Sequence, residues 1–179
     1  VESPDEIANI IAQKALDAFD YGTDAIVPLT GEVIPGDAGE NTLRDMAEQL
    51  YAWLQNHELT GCWTQCCLDE PNEELADTYR RITTIVHSAM PGIELLEPTL
   101  IGHPLEGTMD IWCPGLDQYE QHLDFYNSRV AQGDKIWVYS CLTPGANYCN
   151  RLQDMERLRQ VWIGWAPAKY TDIEGFLHW

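Results

Sequence analysis

The sequence has 179 residues, 29 of them acidic and 10 basic, for a formal charge of −19. That length fits one domain and suffices to bury a core without disulfide or metal staples. So negative a surface repels phosphate backbones and anionic lipid, which disfavours a nucleic-acid partner or a membrane-surface role. No apolar run reaches the roughly 18 residues of a membrane span, and the N-terminus lacks the basic-then-apolar pattern of a secretory signal. Seven Trp, eight Tyr and three Phe need burial, which argues against disorder.

Ser3-Pro4-Asp5-Glu6 has the form of a capping box with proline at the first helical position. It opens a helix carrying Ile7, Ile10, Ile11, Ala15, Ala18 and Phe19, stopped at Gly22. Residues 25–29 read as a short buried strand, followed by a Gly/Pro-rich loop over 31–39 with Glu32 and Asp37. Asn41 or Thr42 caps a second helix with Leu43, Met46, Ala47, Leu50, Trp53 and Leu54 on one face. Residues 61–68 form a second strand. Asn72 opens a third helix with Leu75, Tyr79, Ile82, Val86 and Met90, ended by Pro91-Gly92. Strands follow at 93–96 and 109–113, then a helix over 118–131 that ends at Gly133. Residues 135–142 give the clearest strand, bounded by Gly133-Asp134 and Pro144-Gly145. A last helix over 153–165, with Met155, Leu158, Val161, Trp162 and Trp165, precedes a final strand at 175–179.

Six strands separated mostly by helices imply parallel βαβ units in an α/β fold. The strands are apolar without clean alternation, as when both sheet faces are covered. No G-x-G-x-x-G and no G-x-x-x-x-G-K-[ST] occurs, which argues against a dinucleotide-binding open sheet. The remaining architecture is a (β/α) TIM-type barrel in one domain. A full barrel takes eight units and ~250 residues. About six βα units therefore read as a partial barrel with its first strands missing, from a longer natural protein.

The six cysteines include no C-x-x-C pair, and no His has finger spacing to them. They read as buried free thiols, which fit a reducing compartment while leaving localisation open. No metal site and no cofactor is expected.

In a barrel the chemistry sits at the C-terminal ends of the strands. Those ends carry Thr30 and Glu32; Asp69 and Glu70; Glu97; Trp112; Tyr139, Cys141 and Thr143; His178 and Trp179. Carboxylates serve acid–base work and flat rings pack on sugars, so the set points to a glycoside-processing pocket. Asp69-Glu70-Pro71 is the sharpest feature. Apolar walls raise a carboxyl pKa, and adjacent carboxylates repel. An equally good reading has Asp69, Glu70, Glu73 and Glu74 complementing the dipole of the helix that Asn72 opens. Trp112, Tyr139 and Trp179 can stack on a sugar or pack the core. Asn147 can bind sugar hydroxyls or stabilise a turn. Glu97, just before Pro98, is a further candidate contact. His178 reads as a core histidine.

Gln65-Cys66-Cys67-Leu68-Asp69-Glu70-Pro71, with Tyr79-Arg80-Arg81-Ile82 and Pro91-Gly92-Ile93, resembles the catalytic region of glycoside hydrolase family 123. It also resembles the related domain-of-unknown-function group 4091. Asp110 to Pro114, Trp137-Val138-Tyr139, Pro144 to Asn147, Arg159 to Trp162 and Gly175 to Trp179 extend the resemblance over most of 43–179. It implies a (β/α) barrel and β-N-acetylgalactosaminidase activity on a carbohydrate substrate. The family's adjacent Asp-Glu pair maps onto Asp69 and Glu70. The implied mechanism is retaining and substrate-assisted, with Glu70 as general acid/base and Asp69 stabilising an oxazolinium ion. It needs neither a metal nor a protein nucleophile. The alternatives are a non-catalytic carbohydrate-binding domain and a structural half-barrel that joins a missing segment or another copy of itself.

Overall fold

A computed structural model describes residues 36–145 and 147–178. The expected first helix, the strand at 25–29 and Trp179 lie outside the described residues. The first described helix, α1, runs Gly36–Asn56 and so takes in the end of the loop expected over 31–39. Strand β1 is Thr64–Gln65. Helix α2, Ala76–Ala89, is preceded by a 3₁₀ turn at Glu73–Leu75. Strands β2 (Glu94–Thr99) and β3 (Ile111–Pro114) are joined through a 3₁₀ turn at His103–Leu105. Helices α3 (Leu116–Gln121) and α4 (Leu123–Val130) lead to β4 (Lys135–Ser140). Helices α5 (Arg157–Ile163) and α6 (Ala166–Lys169) lead to β5 (Ile173–His178).

The described residues divide into two compact units. One holds those up to Gly61 with Thr84–Gly92, and the other holds Cys62–Thr83 with Ile93 onward. In the first, Arg44 donates to Ser88 Oγ at 2.8 Å and Tyr51 donates to the Pro91 carbonyl at 2.8 Å. Leu54 is fully buried. Among the described residues no helix is long and apolar enough to cross a membrane.

The second unit carries a five-stranded parallel sheet in the order β1-β2-β3-β4-β5. Spatial order follows chain order, without the reversal of a doubly wound sheet. This α/β sheet is open among the described residues and is consistent with part of a barrel.

Several expected boundaries shift for local reasons. The expected strand 61–68 contracts to two residues: Thr60–Cys62 is a 3₁₀ turn, and beyond Gln65 the chain leaves the ladder. The strand expected at 93–96 instead runs through Pro98 to Thr99. Proline is tolerated there because β1 pairs only as far as Leu95, which leaves β3 alone to be satisfied. Expected helix 118–131 starts earlier and breaks at His122, which leaves helical dihedrals. No Pro or Gly marks that break. Expected helix 153–165 shortens to Arg157–Ile163, with a separate turn beyond it.

Other signals hold. Asn72 caps its helix start, its Oδ1 accepting the Leu75 N–H at 3.0 Å. Gly133 ends α4 with φ +103°, and the next N–H, that of Asp134, reaches back to the Arg129 carbonyl.

Period-two alternation sorts the sheet's faces. One face gathers Leu96, Ile111, Cys113 and Tyr139, with Cys66, Trp137, Cys141 and Leu177 packed against them. The other is covered by helices. There Trp112 packs edge-on to Phe125 and Tyr126, under the Arg129 guanidinium. Asp134 Oδ2 accepts from both the Trp112 indole at 2.7 Å and Arg129 Nε at 2.8 Å. At the N-terminal edge of the strands, Asp110 accepts the Leu95 N–H at 2.8 Å, and Lys135 bridges to Glu94 at 2.7 Å.

Candidate active site

Thr64–Gln65 leaves the ladder at the C-terminal end of β1, and the next residues form a turn over that end of the sheet. Glu70 adopts φ +48°, a left-handed backbone conformation. For a non-glycine residue this costs roughly 1–2 kcal/mol. The following residue, Pro71, disfavours helical dihedrals before it as well. The conformation therefore has to be held by contacts.

One contact comes from β4. The Tyr139 hydroxyl donates to Glu70 Oε1. Strands sit about 4.8 Å apart, so β1 and β4 are separated by roughly 14 Å across a flat sheet. The hydrogen bond closes that gap, and Cys66, just past β1, packs against the same apolar face as Tyr139. Burial, and then Glu70 itself, push the Tyr139 phenol far above its ordinary pKa. It therefore remains a donor at every working pH.

A second contact comes from β2. Glu97 Oε2 accepts the N–H of Cys67 at 2.9 Å and of Leu68 at 3.0 Å. Its Oε1 receives the Cys66 thiol at 3.5 Å. The side chain is 0% exposed. Burial raises its pKa to about 8, against the opposing pull of the Cys67 and Leu68 amides and the Tyr79 hydroxyl. Burial also holds the Cys66 thiol protonated, with Glu97 adding to the effect, so that sulfur is a poor nucleophile.

The site residues expected from sequence separate accordingly. Asp69 is exposed and Glu70 half-buried, adjacent on the same turn. Tyr139 joins them. Glu97, expected as a substrate contact, lies on the helix-covered face, because alternation sets it opposite Leu96. There it grips the turn from behind. Trp112, expected to stack on a sugar, is fully buried on that same covered face. Its indole N–H is engaged by Asp134. Asn147 is exposed, in the loop after β4. Trp179 lies outside the described residues.

Two features went unnoticed in the sequence. Trp137 shares the face of Tyr139 two residues away, a spacing that alternation alone reveals. Its ring lies against Gly175, where an added Cβ would sit 2.3 Å from the ring. Asn150, fully buried, donates to the carbonyls of Cys141 at 3.1 Å and Pro144 at 3.0 Å. It thereby shapes the loop that carries Asn147. Among the described residues no group of His, Cys, Asp or Glu is arranged to hold a metal ion.

An acidic pair, one member fixed by a phenol, at the C-terminal end of parallel strands suits acid–base work on a sugar. No curated protein matches the chain. Residues 19–179 match the family described as glycoside hydrolase 123, catalytic domain, a stretch that includes every site residue named above. The chain therefore belongs to the glycoside hydrolase 123 catalytic-domain family, whose members are glycosidases acting on carbohydrate.

Proposed function

We propose that the protein cleaves terminal β-linked 2-acetamido sugars of the N-acetylgalactosamine type, with retention and with assistance from the substrate. The observation that carries this reading is the Asp69-Glu70 turn, with Glu70 held in a left-handed conformation by Tyr139. Glu70 is the general acid and protonates the glycosidic oxygen as that bond breaks. The substrate's acetamido oxygen attacks the anomeric carbon, giving an oxazolinium ion, and Asp69 orients and stabilises that group. Glu70, now a carboxylate, takes a proton from the water that reopens the ring. Two adjacent residues on one turn suit these separate roles better than a nucleophile and acid facing each other across the sugar. Tyr139, Asn147 and Trp179 complete the proposed sugar contacts, in a sheet that forms part of a (β/α) barrel.

The test is chromophore release from aryl β-glycosides of 2-acetamido-galactose, 2-acetamido-glucose and plain galactose, with wild type and Glu70→Gln. Glu70-dependent cleavage of the acetamido sugars alone is expected. Equal cleavage of the plain galactoside would refute the substrate-assisted route. Binding without turnover, indifferent to Glu70→Gln, would identify a carbohydrate-binding domain instead.

A further inference from the structure

Glu97 is the deepest-buried carboxylate of the sheet unit, and it faces away from the proposed sugar site. A carboxylate in such a place is costly unless its oxygens are well used. Both backbone amides it accepts belong to residues just past the end of β1, where the parallel ladder has stopped. The side chain thus does the work of the absent strand pairing. The two residues that follow these amides are Asp69 and Glu70. We propose that Glu97 is a positioning residue that sets the geometry of the Asp69-Glu70 turn from the covered side of the sheet, while Tyr139 sets it from the open side. This rests on the roles of Asp69 and Glu70 proposed above.

The hydrogen-bond pattern says which chemistry the position needs. Both amides converge on a single oxygen, Oε2. The other oxygen meets only the Cys66 thiol among its hydrogen-bond partners at this turn. One acceptor oxygen is therefore enough for the two amides, whether or not the carboxyl is ionised, with the Cys66 thiol and the Tyr79 hydroxyl as its remaining partners. A protonated Glu97 keeps the grip, and so does a glutamine with its carbonyl in the Oε2 position. The groups facing the carboxyl are Cys66 and Cys67 just past β1 and Tyr79 from α2, with Cys113 of β3 near enough to feel its charge, each held neutral by burial. None of them supplies a cation that would demand an ionised partner. A leucine fills the volume but leaves the Cys67 and Leu68 amides without their acceptor.

The experiment compares Glu97→Leu and Glu97→Gln with wild type on the aryl 2-acetamido-galactoside, and follows amide hydrogen exchange at Cys67 and Leu68. Glu97→Leu should lower kcat at least tenfold with KM within threefold, because the reacting groups are misplaced while the sugar contacts remain. Glu97→Gln should recover kcat to within threefold of wild type. The two amides should be protected in wild type and in Glu97→Gln, and exchange at least tenfold faster in Glu97→Leu. Equal losses in both variants, or a kcat in Glu97→Leu within threefold of wild type, would overturn the proposal. Unprotected Cys67 and Leu68 amides in wild type would overturn it without any variant, which covers a Glu97→Leu chain that does not fold. If Glu70→Gln turns over normally, the roles given to the acidic pair fail, and the exchange data still judge the grip on the turn.

Discussion

Replacing Tyr139 by Phe removes one hydroxyl and almost nothing else. The ring is 3% exposed and packs with Leu96, Ile111 and Cys113, and a phenylalanine ring fills the same space. What is lost is the hydrogen bond to Glu70. A hydrogen bond to a charged or proton-sharing carboxyl is worth about 1.5–3 kcal/mol. If the transition state needs Glu70 held in its left-handed conformation, the loss appears in kcat as a factor of roughly 10 to 150. Stability should change far less. A loss near 1 kcal/mol corresponds to about 2–4 °C in Tm for a chain of this size. The assay is steady-state hydrolysis of the aryl 2-acetamido-galactoside beside thermal unfolding of the same samples. Tyr139 stays protonated throughout, so the alkaline limb of the pH profile should survive the substitution. A kcat within threefold of wild type in a folded Tyr139→Phe protein would refute the idea that this phenol holds the acid.

Glu97 also predicts a pH dependence of stability. Its native pKa is raised to about 8 from a reference of 4.5, so the native state binds the proton more tightly than the unfolded chain. Its contribution is neutral below about pH 4.5, and stability falls as pH rises from there to about 8. Glu97→Gln should flatten that slope in Tm measured from pH 5 to 8, and an unchanged slope would contradict the burial argument. Gly175→Ala would set a Cβ 2.3–2.6 Å from three atoms of the Trp137 ring. Overpacking of this kind costs about 2 kcal/mol, or roughly 4–8 °C in Tm, and Trp137→Leu in the same chain should recover most of it. Asn150→Ala strands two carbonyls and the Arg151 N–H that Asn150 Oδ1 accepts at 2.7 Å. A loss of about 3 kcal/mol is expected by urea unfolding, and a loss below 1 kcal/mol would show that the loop repacks.

Periodic features of the chain were readable before the structure. Asn72 and Gly133 bound their helices by local chemistry that needs no tertiary partner. The alternation of helices and strands led directly to a parallel sheet. The Asp69-Glu70 pair, following an apolar strand, reads equally as a helix start, and only the family resemblance favours a catalytic pair. The side-chain environments were less legible. Glu97 and Trp112 lie near strand ends in the sequence, yet they belong to the covered face, and only the register of β2 against β3 decides that. Strand β1 looked like eight residues because Cys66-Cys67-Leu68 is apolar. Of the three only Cys67 is fully buried, and the amides of Cys67 and Leu68 go not to a neighbouring strand but to a carboxylate about thirty positions away.

That exchange of a ladder for a side chain explains why the turn is where it is. Had β1 continued through Leu68, Asp69 and Glu70 would extend a strand and point to opposite faces. Ending the ladder at Gln65 frees the chain to turn, but it also strands two amides in a dry environment, at about 1–3 kcal/mol each. Glu97 removes that penalty without restoring the strand. Glu70 can then take its left-handed conformation before Pro71, at roughly 1–2 kcal/mol, and its carboxyl meets Tyr139 over the apolar face. Glutamate is a poor choice for such a backbone on conformational grounds, since glycine adopts it without strain. Its carboxyl meets the Tyr139 hydroxyl, a contact that glycine in the same conformation could not make.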